Sequence, residues 1–184
     1  MNEVLKAIAG RYSCRDFTGE PLTKEQVEAL VEAALASPSA MNLQPWHVIA
    51  ITDKAFLDEM NDETMKILEA EEGQEGYKRI LERGGKVFYN APCMVMIAAD
   101  GSEWGPLDCG ILVENVALAA HSLGLGNVIC GMARIPLNGA RGEEFKKRMK
   151  FPDGYVFGMS VLVGKAKSGK EPHELDRGKV TYIK

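Results

Sequence analysis

The chain contains no run approaching about 18 consecutive apolar residues, which excludes a transmembrane helix. It has only 4 cysteines in 184 residues. Cys14, Cys93, Cys109 and Cys130 form no Cys-x-x-Cys pair and have no histidine at a zinc-finger interval, so no structural zinc or iron–sulfur site is expected. Cys93 and Cys109 lie in apolar runs that predict buried, inert thiols. There is no excess of positive charge: 22 Lys and Arg against 26 Asp and Glu leave a net charge of −4, which argues against a dedicated nucleic-acid protein. Residues 1–17 hold an acid at position 3 and no apolar stretch of signal length, which predicts a cytoplasmic location. Several catalytic signatures are absent. There is no HExxH or GxSxG, and His47, His121 and His173 are scattered. His121 reads as a residue favoured by the helix C-terminal dipole. GLGNVICG, 124–131, has Ile129 where a dinucleotide fingerprint needs glycine, and it precedes a strand. GKAKSGKE, 164–171, has Glu171 in place of the P-loop Ser or Thr, followed by Pro172.

What is present is enough apolar material for one substantial core. Hydrophobic residues make up 46% of the chain, and a domain of this length buries roughly 70% of the surface its unfolded chain exposes. The pattern predicts a single domain over 1–184. A short helix spans 2–10. A second begins at a capping box, Thr23 with Gln26, with Leu22 and Val27 as a hydrophobic staple, and stops before Pro38. WHVIAI at 46–51 reads as a strand and 54–71 as a helix. Residues 73–92 are broken by Gly73, Gly76, Gly84 and Gly85 into short helices, either a lid near a site or a plain connector. CMVMIA at 93–98 reads as a strand covered on both faces.

A helix over about 107–123, roughly 25 Å long, is apolar around nearly its whole circumference. A chain this short has little core in which to surround it, so the pattern predicts a second subunit against it. NVICGM at 127–132 and YVFGMSVLVG at 155–164 read as strands, and 141–150 as a basic helix. The tail 165–184 lacks pattern until VTYI at 180–183, which could add a strand to another sheet. Strands separated by helices give an α/β or α+β domain.

Two clusters carry polar chemistry. Arg11, Ser13 and Arg15 alternate in RYSCRDF, so an extended backbone puts them on one side and Tyr12 and Cys14 on the other. Two guanidiniums and a hydroxyl suit a phosphate clamp; the alternative is surface arginines paired with Asp16 and Glu20. In SPSAMNLQPW, 37–46, Ser39, Asn42 and Gln44 sit beside Trp46 in a loop framed by Pro38 and Pro45. Such a loop suits the polar edge of a planar heterocycle, or merely closes a helix–strand connection.

In combination, RYSCRDF at 11–17, PSAMNLQPWHV at 38–48, DCGILVENVALAAHSLGLG at 108–126 and the following NVICGM resemble the flavin-dependent nitroreductase family, in its order and spacing. The resemblance covers nearly the whole chain and is weakest over 54–90. It implies an α+β, three-layer α/β/α sandwich with a mostly antiparallel central sheet. It also implies an intertwined homodimer in which the arm 165–184 extends over the partner and FMN lies between subunits. By motif position, Arg11, Ser13 and Arg15 would hold the FMN phosphate and polar side. Pro38, Ser39, Ala40, Asn42 and Gln44 would line the flavin, and Arg177 with Lys179 would complete the phosphate site. The backbone at Cys130 and Gly131 would approach flavin N5, through the Cys130 N–H rather than its thiol. Family members often have an acid where Cys130 stands, a departure that bears on flavin tuning. The implied activity is ping-pong hydride transfer from NADH or NADPH to a small acceptor such as a nitroaromatic or quinone, with no metal. The alternatives are a specialised flavoenzyme of the same fold (dehalogenase, flavin-fragmenting or azoline oxidase type) and a non-enzymatic FMN-binding dimer.

Overall fold

A computed structural model describes all residues, Met1–Lys184. Helix α1 spans Glu3–Gly10, α2 Lys24–Leu35, α3 Lys54–Ala70, α4 Glu75–Leu81, α5 Gly105–Ser122, α6 Arg134–Asn138 and α7 Gly142–Arg148. Strands β1 (Trp46–Ile51), β2 (Cys93–Ala99), β3 (Gly126–Ile129) and β4 (Val156–Gly164) form one sheet in the order β1-β2-β4-β3, every neighbouring pair antiparallel.

Local chemistry explains most boundaries. Thr23 and Gln26 close the capping box of α2, and the Asp53 side chain accepts the Phe56 amide to start α3. Pro106 stands in the first turn of α5, where no intrahelical N–H is needed. The same allowance explains α6, a short helix that apolar spacing does not reveal. Its Pro136 falls in the first turn, and Gly139 follows its last residue.

β2 is buried along its entire length, and side-chain alternation divides the core across the sheet. Cys93, Val95 and Ile97 join Leu112, Val113 and Val116 of α5 and Leu30 of α2 on one face. Met94, Met96 and Leu162 join Leu57 and Met60 of α3, Leu137 of α6 and Phe145 of α7 on the other. Helices therefore cover both faces of an antiparallel sheet, the expected α/β/α layering. Gly158 allows α5 to approach β4 closely, since a Cβ there would lie 2.7 Å from Cys109 Sγ and 3.1 Å from the Ile97 carbonyl.

One detail differs from the sequence expectation. NVICGM is strand only to Ile129, because the chain turns into a short 3₁₀ segment at Gly131–Ala133. VTYI at 180–183 forms no strand. Within one chain it has no ladder to join, and all of its residues are exposed. Within 73–92, Ile80 of α4 is buried, as are Val87 and Phe88, and Asn61 of α3 accepts the Val87 amide at 2.8 Å. The apolar circumference of α5 is only half covered, since Leu107 is 59% and Ile111 36% exposed.

Beyond the sheet, α3 and α7 are joined by charge. Glu59 pairs with Arg141 and, at 2.6 Å, with Arg148; Arg141 also holds Glu144 at 2.6 Å. Arg148 lies over the Phe56 ring and Arg141 over Phe145. Hydrogen bonds from Arg141 and Arg148 hold the Glu59 carboxyl below its usual range, and Arg141 does the same for Glu144. The native state therefore binds fewer protons than the unfolded chain through this region. The stabilisation is present above the unfolded carboxylate pKa and is lost as pH falls through the lower native values. Glu59→Gln is expected to lower the melting temperature at neutral pH and to flatten its decline between about pH 5 and 3, read by thermal melts across that series.

Candidate functional site

β3 is an edge strand, and its outer side organises the polar residues of the first segment. Ser13 forms a bridge to Asn127, and the Cys14 N–H donates to the Asn127 carbonyl at 2.8 Å. Cys14 is buried while Ser13 and Arg15 are not, as alternation predicts. Gly126 makes this approach possible, because a Cβ there would stand 2.9 Å from Cys14 Sγ. Farther along, the segment is pinned by Phe17 against Ala166 and by Thr18 N–H to the Lys165 carbonyl at 2.9 Å.

The arginines are not paired with Asp16 or Glu20. Asp16 is met by Lys167 at 3.5 Å and Glu20 by Lys165 at 3.2 Å, so the arm's lysines occupy those carboxylates. Arg11, with its side chain only 18% exposed, reaches Glu114 of α5 at 3.5 Å. Arg15 has no carboxylate within ion-pair range and lies close enough to Cys130 for its charge to act on that thiol. Tyr12, Ser13, Arg15, Ser168 and Lys170 line a cleft of about 330 Å³. The sequence reading missed Lys170. Its signal lay in GKAKSGKE, which fails as a complete P-loop but still supplies a cation to this cleft. Arg177 and Lys179 are not brought there: they lie exposed on a short turn of the arm, Lys179 facing Asp176 at 3.9 Å.

At the end of β3, the Cys130 N–H donates to the Ser160 carbonyl at 2.7 Å. It is therefore committed within the sheet, which corrects the expectation that this N–H is offered to a ligand. Cys130 is extended, and its carbonyl also points toward β4, where the Ser160 hydroxyl donates to it at 2.6 Å. Across a trans peptide the next N–H points the opposite way, so the Gly131 amide is aimed off the sheet edge, on the side where residues 13–15 run.

The second polar cluster is a rigid loop. Gln44 N–H donates to Ser39 Oγ at 2.9 Å, Gln44 Nε2 to Asn42 Oδ1 at 3.2 Å, and Ala40 N–H to Asp108 Oδ1 at 3.3 Å. Met41, Asn42 and Gln44 all have left-handed φ angles, 50°, 55° and 49°, an uncommon concentration for residues with side chains. Met41 is 83% exposed. No hydrogen bond or ion pair joins this loop to 11–15 or 130–131. The loop leads into β1, at the opposite edge from β3, and three strand spacings of about 4.8 Å separate those edges by about 14 Å. Two buried polar atoms have no partner, Asp108 Oδ2 beneath this loop and Asn127 Oδ1 beside Ser13.

No three His, Cys, Asp or Glu side chains gather as a metal site, and no helix is long and apolar enough to cross a membrane.

An antiparallel sheet clad with helices on both faces, with cations along one sheet edge, defines an α+β protein. The chain belongs to the nitroreductase family, whose model matches residues 8–165, and membership places it among the nitroreductase-type oxidoreductases. It is similar to a nitroreductase from Desulfitobacterium hafniense DCB-2 crystallised with bound FMN, at 48% identity over 100% of each chain and a TM-score of 0.97. An FMN-dependent nitroreductase from Clostridium difficile R20291 superposes with a TM-score of 0.80 at 28% identity, over 99% of each chain. The FMN reductase [NAD(P)H] of Bacillus subtilis strain 168 is 30% identical over 203 residues, covering 100% of this chain and 76% of that protein.

The four thiols are free and buried. Burial pushes Cys93 up to about 12; burial, with the Asp108 and Asp100 carboxylates, pushes Cys109 up to about 11. Cys14 and Cys130 are raised by burial as well. Each shift is upward, away from the thiolate form that reacts with disulfides at pH 8. Native protein is expected to react slowly with a disulfide reagent at that pH, and unfolded protein to release four equivalents promptly.

Proposed function

We propose that this protein is an FMN-dependent NAD(P)H oxidoreductase that works as a homodimer. The observation that carries the reading is the β3 edge, where Ser13 bridges Asn127 and Arg15 lies near Cys130, just before Gly131, without an acidic partner. Arg11, Ser13 and Lys170 supply the cations and hydroxyl that a phosphate monoester requires. Arg177 and Lys179, which one chain does not bring to this cleft, join them from the arm of the second copy. Arg15 and the Gly131 amide face the ring, and a fixed cation beside the ring favours its anionic reduced form. Pro38, Ser39, Ala40, Asn42 and Gln44 contribute from the second copy, because one chain places them at the far edge of its own sheet. Bound FMN supplies two-electron redox chemistry, between NADH or NADPH as donor and a nitroaromatic, quinone or similar small acceptor, in a ping-pong sequence.

The chain's own uncovered apolar surface supports the second copy. Leu107 and Ile111 of α5 are exposed, as are Val4, Leu5 and Ile8 of the amphipathic α1 and Val180, Tyr182 and Ile183 of the arm. A partner that covers these faces also brings its 38–44 loop to the β3 edge, so each site is completed across the interface.

The purified protein is expected to sediment as a dimer and to show flavin absorbance, bleached anaerobically by NADH or NADPH and restored by an acceptor. A colourless monomer that takes up no added FMN would refute the reading. Arg11→Ala is expected to weaken FMN binding by about 1.5–3 kcal/mol, the scale of a hydrogen bond to a charged group, or roughly 10- to 150-fold in Kd. Titration of FMN-free protein by flavin fluorescence measures it.

A further inference from the structure

Ser160 stands in the middle of β4 with no exposed surface. Its side chain lies on the sheet face of Leu162, Met96 and Cys130, an otherwise hydrophobic environment. A buried hydroxyl in such a place must find a partner, and this one finds the Cys130 carbonyl at 2.6 Å. The choice of acceptor is informative. In a regular antiparallel ladder, a residue that donates to its opposite number also accepts that residue's backbone N–H. Cys130 donates to the Ser160 carbonyl at 2.7 Å, but no bond returns from the Ser160 N–H. The regular ladder has ended at Ile129↔Val161, and the chain is about to turn into its 3₁₀ segment. The hydroxyl supplies the missing second bond, so Ser160 holds Cys130 from both its carbonyl and its side chain.

The carbonyl gripped in this way belongs to the same planar unit as the Gly131 N–H. Fixing one end of that plane fixes the direction of the other. A hydrogen bond at the carbonyl also polarises the amide, making its N–H a stronger donor. We infer that Ser160 is a positioning residue: through the Cys130 carbonyl, its hydroxyl aims and strengthens the Gly131 amide as a donor to the ring of the bound cofactor. This inference rests on the reading that Gly131 faces the flavin. It assigns the tuning of that contact to a residue that itself touches no ligand. The Cys130 thiol takes no part, and the side chain at 130 matters less than the peptide that follows it.

The test compares wild type, Ser160→Ala and Ser160→Thr, each as the full chain, with and without FMN. In FMN-free protein, ¹H–¹⁵N spectra should show the Gly131 amide proton of the Ala variant shifted upfield and exchanging faster. The Thr variant, which keeps the hydroxyl, should return it toward the wild-type position. With FMN bound, the midpoint potential should rise in the Ala variant and fall back in the Thr variant. The reason is that an N–H aimed at N5 favours the oxidised ring, whose N5 accepts a hydrogen bond, over the reduced ring, whose N5 carries a proton. A merely structural hydroxyl would lower the melting temperature while leaving the Gly131 resonance and the potential in place, and that result overturns the inference. Should the Ala variant fail to fold, the nearly isosteric Ser160→Cys replaces it. If wild type binds no FMN, the cofactor reading fails, and the Gly131 resonance alone then decides whether Ser160 controls the peptide.

Discussion

The outer edge of β3 is the constraint from which the rest of the structure follows. Backbone amides at a sheet edge must be paired, covered or left to a ligand. Here the inner side is committed to β4 through Ile129 and on to Cys130. The outer side is bridged at Asn127 alone, by a segment that carries two arginines and a serine. Beyond that bridge the edge remains open, with an amide directed outward by the peptide before it. A sheet closed on this side by a full fifth strand would be more conventional and would have no such donor to offer.

Helix α5 connects this edge to the remote loop. Its inner face is packed against β2, β4 and α2, and its other positions hold both polar clusters: Glu114 meets Arg11, Asp108 accepts from Ala40, and Asn115 donates to Ser37 at 2.8 Å. One rigid element thus sets the positions of both groups without bringing them together. What the helix leaves uncovered, Leu107 and Ile111, is the apolar surface expected of a face awaiting a partner. The same helix therefore fixes the positions of both polar clusters and carries this uncovered surface.

Charge is distributed with similar economy. The acids nearest Arg15 in sequence are paired with Lys165 and Lys167 from the start of the arm, so neither is paired with Arg15. The ion cluster of Glu59, Arg141, Glu144 and Arg148 lies with α3 and α7, on the sheet face away from α5. It joins two helices. The thiols likewise stand apart: all four are free and buried.

Much of the architecture was legible in the sequence because its causes are local. The Thr23–Gln26 capping box, the proline stops and the alternating or helical apolar spacing each act within a few residues. The family resemblance rested on motifs equally local, RYSCRDF and PSAMNLQPWHV among them. Short α6 is not legible because five residues around a proline make no periodic signal.

The sequence determined which elements form, which family they compose and which side chains carry charge. Only the tertiary structure decided that Asp16 and Glu20 belong to lysines and that the Cys130 N–H is consumed while Gly131's is directed outward. It alone placed Lys170 beside Ser13 and Arg15. These outcomes depend on pairings such as Tyr12 with Ser168, 156 positions apart, and no local pattern encodes which distant groups the folded chain will bring into contact.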